Sequence, residues 1–315
     1  MNDALPTPHD VIIVGGGPAG LTAALHLAWH DHDVLVIDRR TGPLFFTLEA
    51  LHNVPGLPAV RGLDLQAQLR AQAKGRGAEF VRGNVTSATG QAGAFALTGA
   101  KGEAWHARVL LLATGVARYH PTIDGDIAPC FKYAGKGNLY YCPDCEAPEV
   151  KGKDTVVIGT GPADWAAGMA VGLSRYTDRL RVLLTGGTDL SATHADRLRD
   201  KGIAVTVGAI KELVGKPGRL ETLKLADGVE LSAEKFFVSS EVHGRTDLAK
   251  QLGVDLAPTG EHAQPRSQRG DTSVPGVWIA GDLRPMTQQV SVAFGTGNIA
   301  AVMIDQHLRR QAVLD

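Results

Sequence analysis

Residues 10 to 28, DVIIVGGGPAGLTAALHLA, constrain this chain more than any other stretch. An apolar run short enough for one buried strand meets a glycine cluster, and an alanine- and leucine-rich helical segment follows. DVLVID then supplies a second strand ending in Asp38. Strand, tight turn, helix and strand in that order make the opening of a parallel α/β sheet. The spacing Gly15, Gly17, Gly20 gives each glycine a distinct role. Gly15 allows the turn, Gly17 lets the backbone approach a pyrophosphate, and Gly20 lets helix and strand pack closely. Pro18 and Ala19 open the helix, whose free amides and positive dipole end favour an anion. Asp38 is placed to accept a hydrogen bond from a ribose hydroxyl. FAD and NAD sites share this pattern, so the motif alone does not choose between them.

A second fingerprint begins at KDTVVIGTGPADWAAGMAVGLS and continues into the strand RVLLT. Gly159 and Gly161 fill the first two glycine positions, but Asp164 stands at the third, which brings bulk and negative charge to the place expected for a pyrophosphate. The following LLTGGTDL offers neither an acidic residue for a ribose diol nor an arginine cluster for a 2'-phosphate. With a lost charged hydrogen bond costing about 1.5 to 3 kcal/mol, nicotinamide nucleotide affinity is expected to fall roughly ten- to a hundredfold per contact. A surviving site would have to use other residues, such as Arg179 or Arg181.

Other signals bound the alternatives. With 315 residues and a net charge of -1, the chain is long enough for about two domains and carries no basic field for nucleic acid or a membrane surface. MNDALPTPHD lacks a basic start followed by an apolar core, and no segment reaches the ~18 apolar residues of a membrane span, so a cytoplasmic chain is expected. Three cysteines do not form an extracellular disulfide framework. Cys142 and Cys145, in YYCPDCEAPE, therefore read as metal-binding or redox-active. Zinc would need further ligands from Cys130 or scattered histidines, and no second CxxC or HxxxH follows, so no metal site is expected. Cys130 reads as a structural thiol.

Five landmarks in order, GGGPAG at 15 to 20, HNVPG at 52 to 56, ATG at 113 to 115, CPDC at 142 to 145, and VWIAGD followed by QQVSVAFGTGNIAA, carry a resemblance over most of the chain. The sequence resembles the low-molecular-weight thioredoxin reductase family of flavoproteins. The resemblance implies an α/β fold of two Rossmann-like three-layer nucleotide-binding domains. One is a discontinuous FAD-binding domain of residues 1–118 and 245–315, and the other an NADPH-domain-like middle domain, 119–244, carrying CPDC. It implies FAD contacts at Gly15, Gly17, Pro18, Ala19, Gly20, Asp38, Asn53, Thr114, Gly115, Gly281, Asp282, Gln289 and Val290. VWIAGD is expected as a short buried strand ending in Asp282, and the next helix, from about Gln289, as aiming its amides at the flavin pyrimidine ring.

By the same resemblance Cys145 exchanges electrons with the flavin, and Cys142 attacks the substrate disulfide. The departing thiolate needs an acid, which the family supplies as an aspartate after the second cysteine. Here that position is Glu146, with Asp144 as a second candidate. Pro143 and Asp144 depart from the residues common in the family, and a proline there occurs in relatives acting on small dithiols. The acceptor is thus expected to be a thioredoxin-like protein or a low-molecular-weight disulfide. The damaged second fingerprint makes NADPH doubtful and leaves ferredoxin or another flavoprotein as donor. The resemblance also implies a homodimer and a rotating middle domain, with crossings near Val116 to Pro121 and Val242 to Asp247. A conventional NADPH-dependent thioredoxin reductase and a non-catalytic flavin redox sensor remain as alternatives.

Overall fold

Alternating apolar strands and alanine-rich helices fold as the pattern predicts, into parallel sheets covered by helices. The computed structural model describes residues 7–47 and 49–314. Residues 1–6, which include most of the segment read for a leader, lie outside that description.

The larger sheet has His9–Val14 at its centre, between Val34–Asp38 and Ala104–Leu112, both parallel to it. Glu79–Arg82 extends it beyond Val34–Asp38, and the hairpin strands Ala94–Gly99 and Val85–Gln91 extend the other side. Ala104–Leu112 pairs over its first half with the hairpin strand, antiparallel, and over its last three residues with Val277–Ile279, parallel. One strand therefore joins the beginning of the chain to its C-terminal part. The central strands are apolar on both faces because helices cover one face and the segment around Leu248–Val254 the other, so Val11, Ile12 and Ile13 are all fully buried.

A second, fully parallel sheet runs in the order Leu139–Tyr140, Lys235–Ser239, Thr155–Gly159, Leu180–Leu184, Ala204–Val207. Helix Ala163–Leu173 packs on one face, and an antiparallel meander, Ile210–Lys216, Arg219–Leu225 and Glu230–Ser232, contributes to the core on the other. The two sheets thus form two Rossmann-like nucleotide folds in an α/β architecture. The chain crosses between them twice, through Val116–Arg118 and Val242–Gly244, which pair antiparallel with Val116 opposite Gly244. Among the described residues no helix is long and apolar enough to cross a membrane.

VWIAGD departs from expectation in one detail. The strand ends at Ile279, and Gly281, at φ 68°, turns the chain into a short 3-10 segment, Gly281–Leu283. The turn brings Gly281 close to the helix Pro18–Trp29, where a Cβ on it would lie 2.9 Å from the Ala19 Cβ.

Helix Pro18–Trp29 also packs backbone to backbone against the last helix, Val290–Leu314. A Cβ on Gly297 would collide with the carbonyl of Ala19, whereas one on Gly295, two residues earlier and on the other side of the helix, meets nothing within 4 Å. Gly297→Ala is therefore expected to destabilise the fold by about 1 to 3 kcal/mol, the range for overpacking. Gly295→Ala is expected to be neutral or stabilising by up to about 1 kcal/mol through helix propensity. Denaturant unfolding of both variants, followed by circular dichroism, checks the contrast.

Candidate active site

At the carboxyl end of His9–Val14 the glycines divide as the motif requires. Gly15 has φ 113°, and a side chain there would strike the Ala113 carbonyl; one at Gly20 would strike the Gly15 carbonyl. Gly17 differs, because nothing lies within 4 Å of a Cβ built on it, and the helix it precedes has no side-chain cap. Unshared N–H groups and an open approach are what a dinucleotide pyrophosphate needs. Asp38, 8% exposed, packs beneath Gly16 and accepts from the Arg40 backbone N–H at 3.0 Å and from Arg70 at 3.3 Å. Thr114 Oγ1 donates to the Arg245 carbonyl at 2.8 Å, tying the ATG turn to the returning crossing, and Gly115 bends there at φ 65°. The Gly281 N–H donates to Thr296 Oγ1 at 3.0 Å. These residues fit FAD: an open glycine, an uncapped helix, and a carboxylate at the end of the second strand, all at the carboxyl ends of the central strands.

The last helix begins where expected, the Ala293 N–H donating to the Gln289 carbonyl at 2.9 Å. Val290 packs against the small cluster of Leu44, Val60 and Leu65. Gln289 reaches the sulfurs. Cys142 and Cys145 form a disulfide with Cα atoms 5.3 Å apart, and Gln289 Nε2 lies 3.4 Å from Cys145 Sγ and 3.8 Å from Cys142 Sγ. Asn53 Nδ2 donates to Gln289 Oε1 at 2.9 Å. HNVPG, CPDC and QQV, distant in sequence, therefore meet at one point.

The two carboxylates of the motif part company. Asp144 is exposed and, among the described residues, its side chain makes no hydrogen bond. Glu146 folds back to accept from the Cys142 backbone N–H at 3.0 Å. Burial pushes its carboxyl up to about 7, against the opposing effects of that hydrogen bond and of Arg118. Arg118 is the residue that sequence reasoning missed. On the first crossing strand, it donates to Gln288 Oε1 at 2.9 Å and, at 3.4 Å, to the carbonyl of Tyr141, the residue before Cys142. Burial lowers its pKa, and the nearby Asp282 and then Glu146 raise it. Asp282 is raised by its own burial and lowered by Arg118. Only the position of Arg118 in a short segment between ATG and a proline hinted at a role. Beside it, His120 Nδ1 and the Tyr141 hydroxyl share a hydrogen bond at 2.6 Å. Cys130 is buried, donates to the Pro121 carbonyl at 3.1 Å, and is pushed up to about 12 by burial, consistent with a structural thiol.

At the second nucleotide turn the geometry corrects one expectation. Asp164 does not face the phosphate position: its carboxylate accepts from the Ser191 backbone N–H at 2.9 Å and lies 3.3 Å from His194 Nδ1. What approaches the turn is different. A Cβ on Gly161, the counterpart of the open Gly17, would lie 3.5 Å from Glu241 Cγ and 3.7 Å from Trp165. The loop after Leu180–Leu184 lies against the same turn, Gly186 over Thr160 and Gly187 over Gly161. Helix Ala163–Leu173 also starts one position later than its counterpart, which begins at the motif proline. Trp165 is 52% exposed. Arg179 and Arg181 lie at the beginning of Leu180–Leu184, the end away from the turn, and Arg181 is paired with Asp154 at 2.8 Å.

A family profile described as pyridine nucleotide-disulphide oxidoreductase matches residues 9–297. The chain belongs to that family. A thioredoxin reductase of Treponema pallidum (strain Nichols) is 30% identical over 307 residues, covering 94% of this chain and 96% of that one. The crystal structure of HlmI, 28% identical, superposes with a TM-score of 0.87 over 99% of this chain and 96% of that one. The atypical thioredoxin reductase TRi of Desulfovibrio vulgaris Hildenborough, 30% identical, gives 0.52 over 96% and 98%. This disulphide oxidoreductase is thus a thioredoxin reductase-like, flavin-dependent enzyme, and its close Cys142–Cys145 pair fits a redox disulfide.

Because Arg118 holds the Glu146 carboxyl down, Arg118→Met is expected to move that titration above about 7, so that more of the acid is protonated at neutral pH. Difference infrared spectroscopy of the carboxyl band across pH 5 to 9, with Glu146→Gln to assign the band, reads the shift.

Proposed function

We propose that this enzyme passes electrons from FAD through Cys145 and Cys142 to a disulfide acceptor, with Glu146 as the acid. The observation that carries the reading is the disulfide held at the start of the last helix by Gln289, with Glu146 on the Cys142 N–H. FAD, when bound, supplies the two-electron chemistry. Gly15, Gly17, Pro18, Ala19 and Gly20 would hold its pyrophosphate, Asp38 its adenosine ribose, Gly281 and Asp282 the ribityl region, and Asn53, Thr114, Gly115, Gln289 and Val290 the flavin end. On this reading the FAD-binding domain comprises residues 1–118 and 245–315, and residues 119–244 form the middle domain.

In the reduced pair, Cys142 returns its proton to Glu146 and, as the thiolate, attacks one sulfur of the substrate disulfide. A mixed disulfide forms, and the substrate S–S bond breaks. The departing thiolate takes a proton from Glu146, which is available because burial keeps that carboxyl protonated near neutrality. Cys145 then attacks Cys142 of the mixed disulfide, re-forming Cys142–Cys145 and releasing the second substrate sulfur as a thiolate. Two electrons have moved to the acceptor and the pair is oxidised again.

The acceptor is a thioredoxin-like protein or a low-molecular-weight disulfide, Pro143 and Asp144 favouring the latter. Glu241 and the 185–187 loop at the second glycine turn favour a donor other than NADPH, such as ferredoxin or another flavoprotein. The spread of TM-scores from 0.87 to 0.52 at similar identity and coverage supports two placements of the middle domain, rotating on the paired crossings 116–118 and 242–244. A cytoplasmic homodimer completes the proposal.

Cys142→Ser and Cys145→Ser are each expected to abolish disulfide reduction while leaving FAD bound, with turnover read against dithiobis(nitrobenzoate) under chemical reduction. Full activity in either variant contradicts the mechanism. Activity should also fall as pH rises through about 7, because Glu146 loses its proton there, and Glu146→Gln should remove that limb of the profile. In an anaerobic titration the flavin band is expected to resist micromolar NADPH and NADH and to bleach with dithionite. Prompt bleaching by NADPH would identify a conventional pyridine-nucleotide reductase.

A further inference from the structure

Among the described residues, the amide of Gln289 is the polar side chain in hydrogen-bond range of both sulfurs, at 3.4 Å from Cys145 and 3.8 Å from Cys142. A disulfide sulfur carries no proton, so the nitrogen of that amide is the donor. An amide can be turned about, placing its oxygen where its nitrogen should be, and the orientation therefore needs a cause. Asn53 provides it, its Nδ2 donating to Gln289 Oε1 at 2.9 Å from the other side. Turning the Gln289 amide over would set two N–H groups against each other and an oxygen against the sulfurs.

When the S–S bond takes up two electrons, supplied by the reduced flavin of this enzyme class, it opens into two sulfurs. One proton, from Glu146, neutralises Cys142, and Cys145 is left as the thiolate. A hydrogen bond to a charged acceptor is about twice as strong as one to a neutral acceptor, so the Gln289 N–H holds the reduced pair more firmly than the disulfide. The longer contact to Cys142 and the shorter one to Cys145 favour charge on the latter.

We propose that Gln289 is a catalytic hydrogen-bond donor to the Cys145 thiolate, aimed by Asn53 as a positioning residue, and that this dyad makes the CPDC disulfide easier to reduce. The inference rests on reading Cys142–Cys145 as the redox pair, but it concerns the energetics of that pair and not the identity of donor or acceptor. It also separates two duties of one helix end, since backbone amides there would serve the cofactor while the side chain serves the sulfurs.

The test is the midpoint potential of the disulfide in the FAD-loaded protein, set by dithiothreitol redox buffers at pH 7 and read by alkylation and mass spectrometry. Gln289→Leu is expected to shift the thiol-disulfide equilibrium about tenfold toward the disulfide, which is about 30 mV more negative for a two-electron couple. Should that variant lose its flavin, Gln289→Glu carries the same prediction, because it keeps the volume and the acceptor for Asn53 but, ionised, presents no N–H to the sulfurs. Asn53→Ala should move the potential in the same direction by less, and Asn53→Ala with Gln289→Leu should match Gln289→Leu alone. A potential unchanged in the Gln289 variants overturns the proposal, and additive effects of the two sites overturn the positioning role of Asn53. Failure of the broader reading would look different, as a pair that stays oxidised in every buffer, the unsubstituted protein included.

Discussion

The site is organised around a guanidinium that faces two carboxylates from opposite halves of the chain. Arg118 lies on a crossing strand and is half-buried, where a charge is costly unless it is compensated and hydrogen-bonded. The carboxylates near enough to act on it are Asp282, at the turn after the C-terminal strand, and Glu146, directly after the CPDC pair. Its hydrogen bonds go to Gln288 and to the Tyr141 carbonyl, so one side chain grips the start of the last helix and the residue before Cys142. The sulfurs come to Gln289 because these contacts hold the two halves in register. The same arrangement keeps Glu146 out of water, and burial then raises its proton affinity into the range useful for an acid at neutral pH.

The two glycine turns of the chain show how one motif can serve different ends. At the first, Gly17 opens onto nothing of the protein itself, and the helix behind it is uncapped. At the second, Gly161 faces Glu241 and Trp165, and the 185–187 loop lies over Thr160 and Gly161. Glu241 belongs to the segment that leads into the returning crossing, and the Tyr119 N–H donates to its carbonyl. The second turn is thus packed into the junction between the halves. Asp164 contributes indirectly, by fixing the Ser191 backbone and lying beside His194 at the far end of the same loop.

Much of this was legible in the sequence. Strand, turn and helix at 10 to 28 are dictated by residue types whose burial and backbone freedom are local properties, and the structure follows them closely. The meeting of HNVPG, CPDC and QQV was legible only through their order along the chain, since nothing in their local chemistry says that Asn53 bonds Gln289. Arg118 was not legible, because a single arginine carries no periodicity and acquires its role only from partners at 141, 146, 282 and 288. The same limit explains Asp164 and Glu241. Sequence position identified a charge at the third motif position, but side-chain direction is set by the loop that packs over it, and the side chain against Gly161 comes from Glu241, about eighty residues away, whose carboxylate lies 3.4 Å from His243 Nε2.

The central claim is that Cys145 faces the flavin and Cys142 faces the substrate, and its most direct measurement is the visible spectrum of the two single-serine variants. With Cys142→Ser, the freed Cys145 thiolate is predicted to give a long-wavelength charge-transfer band with the oxidised flavin, lost on acidification. With Cys145→Ser that band is predicted to be absent. A band in the Cys145→Ser variant alone, or in neither variant across the pH range, would contradict the account.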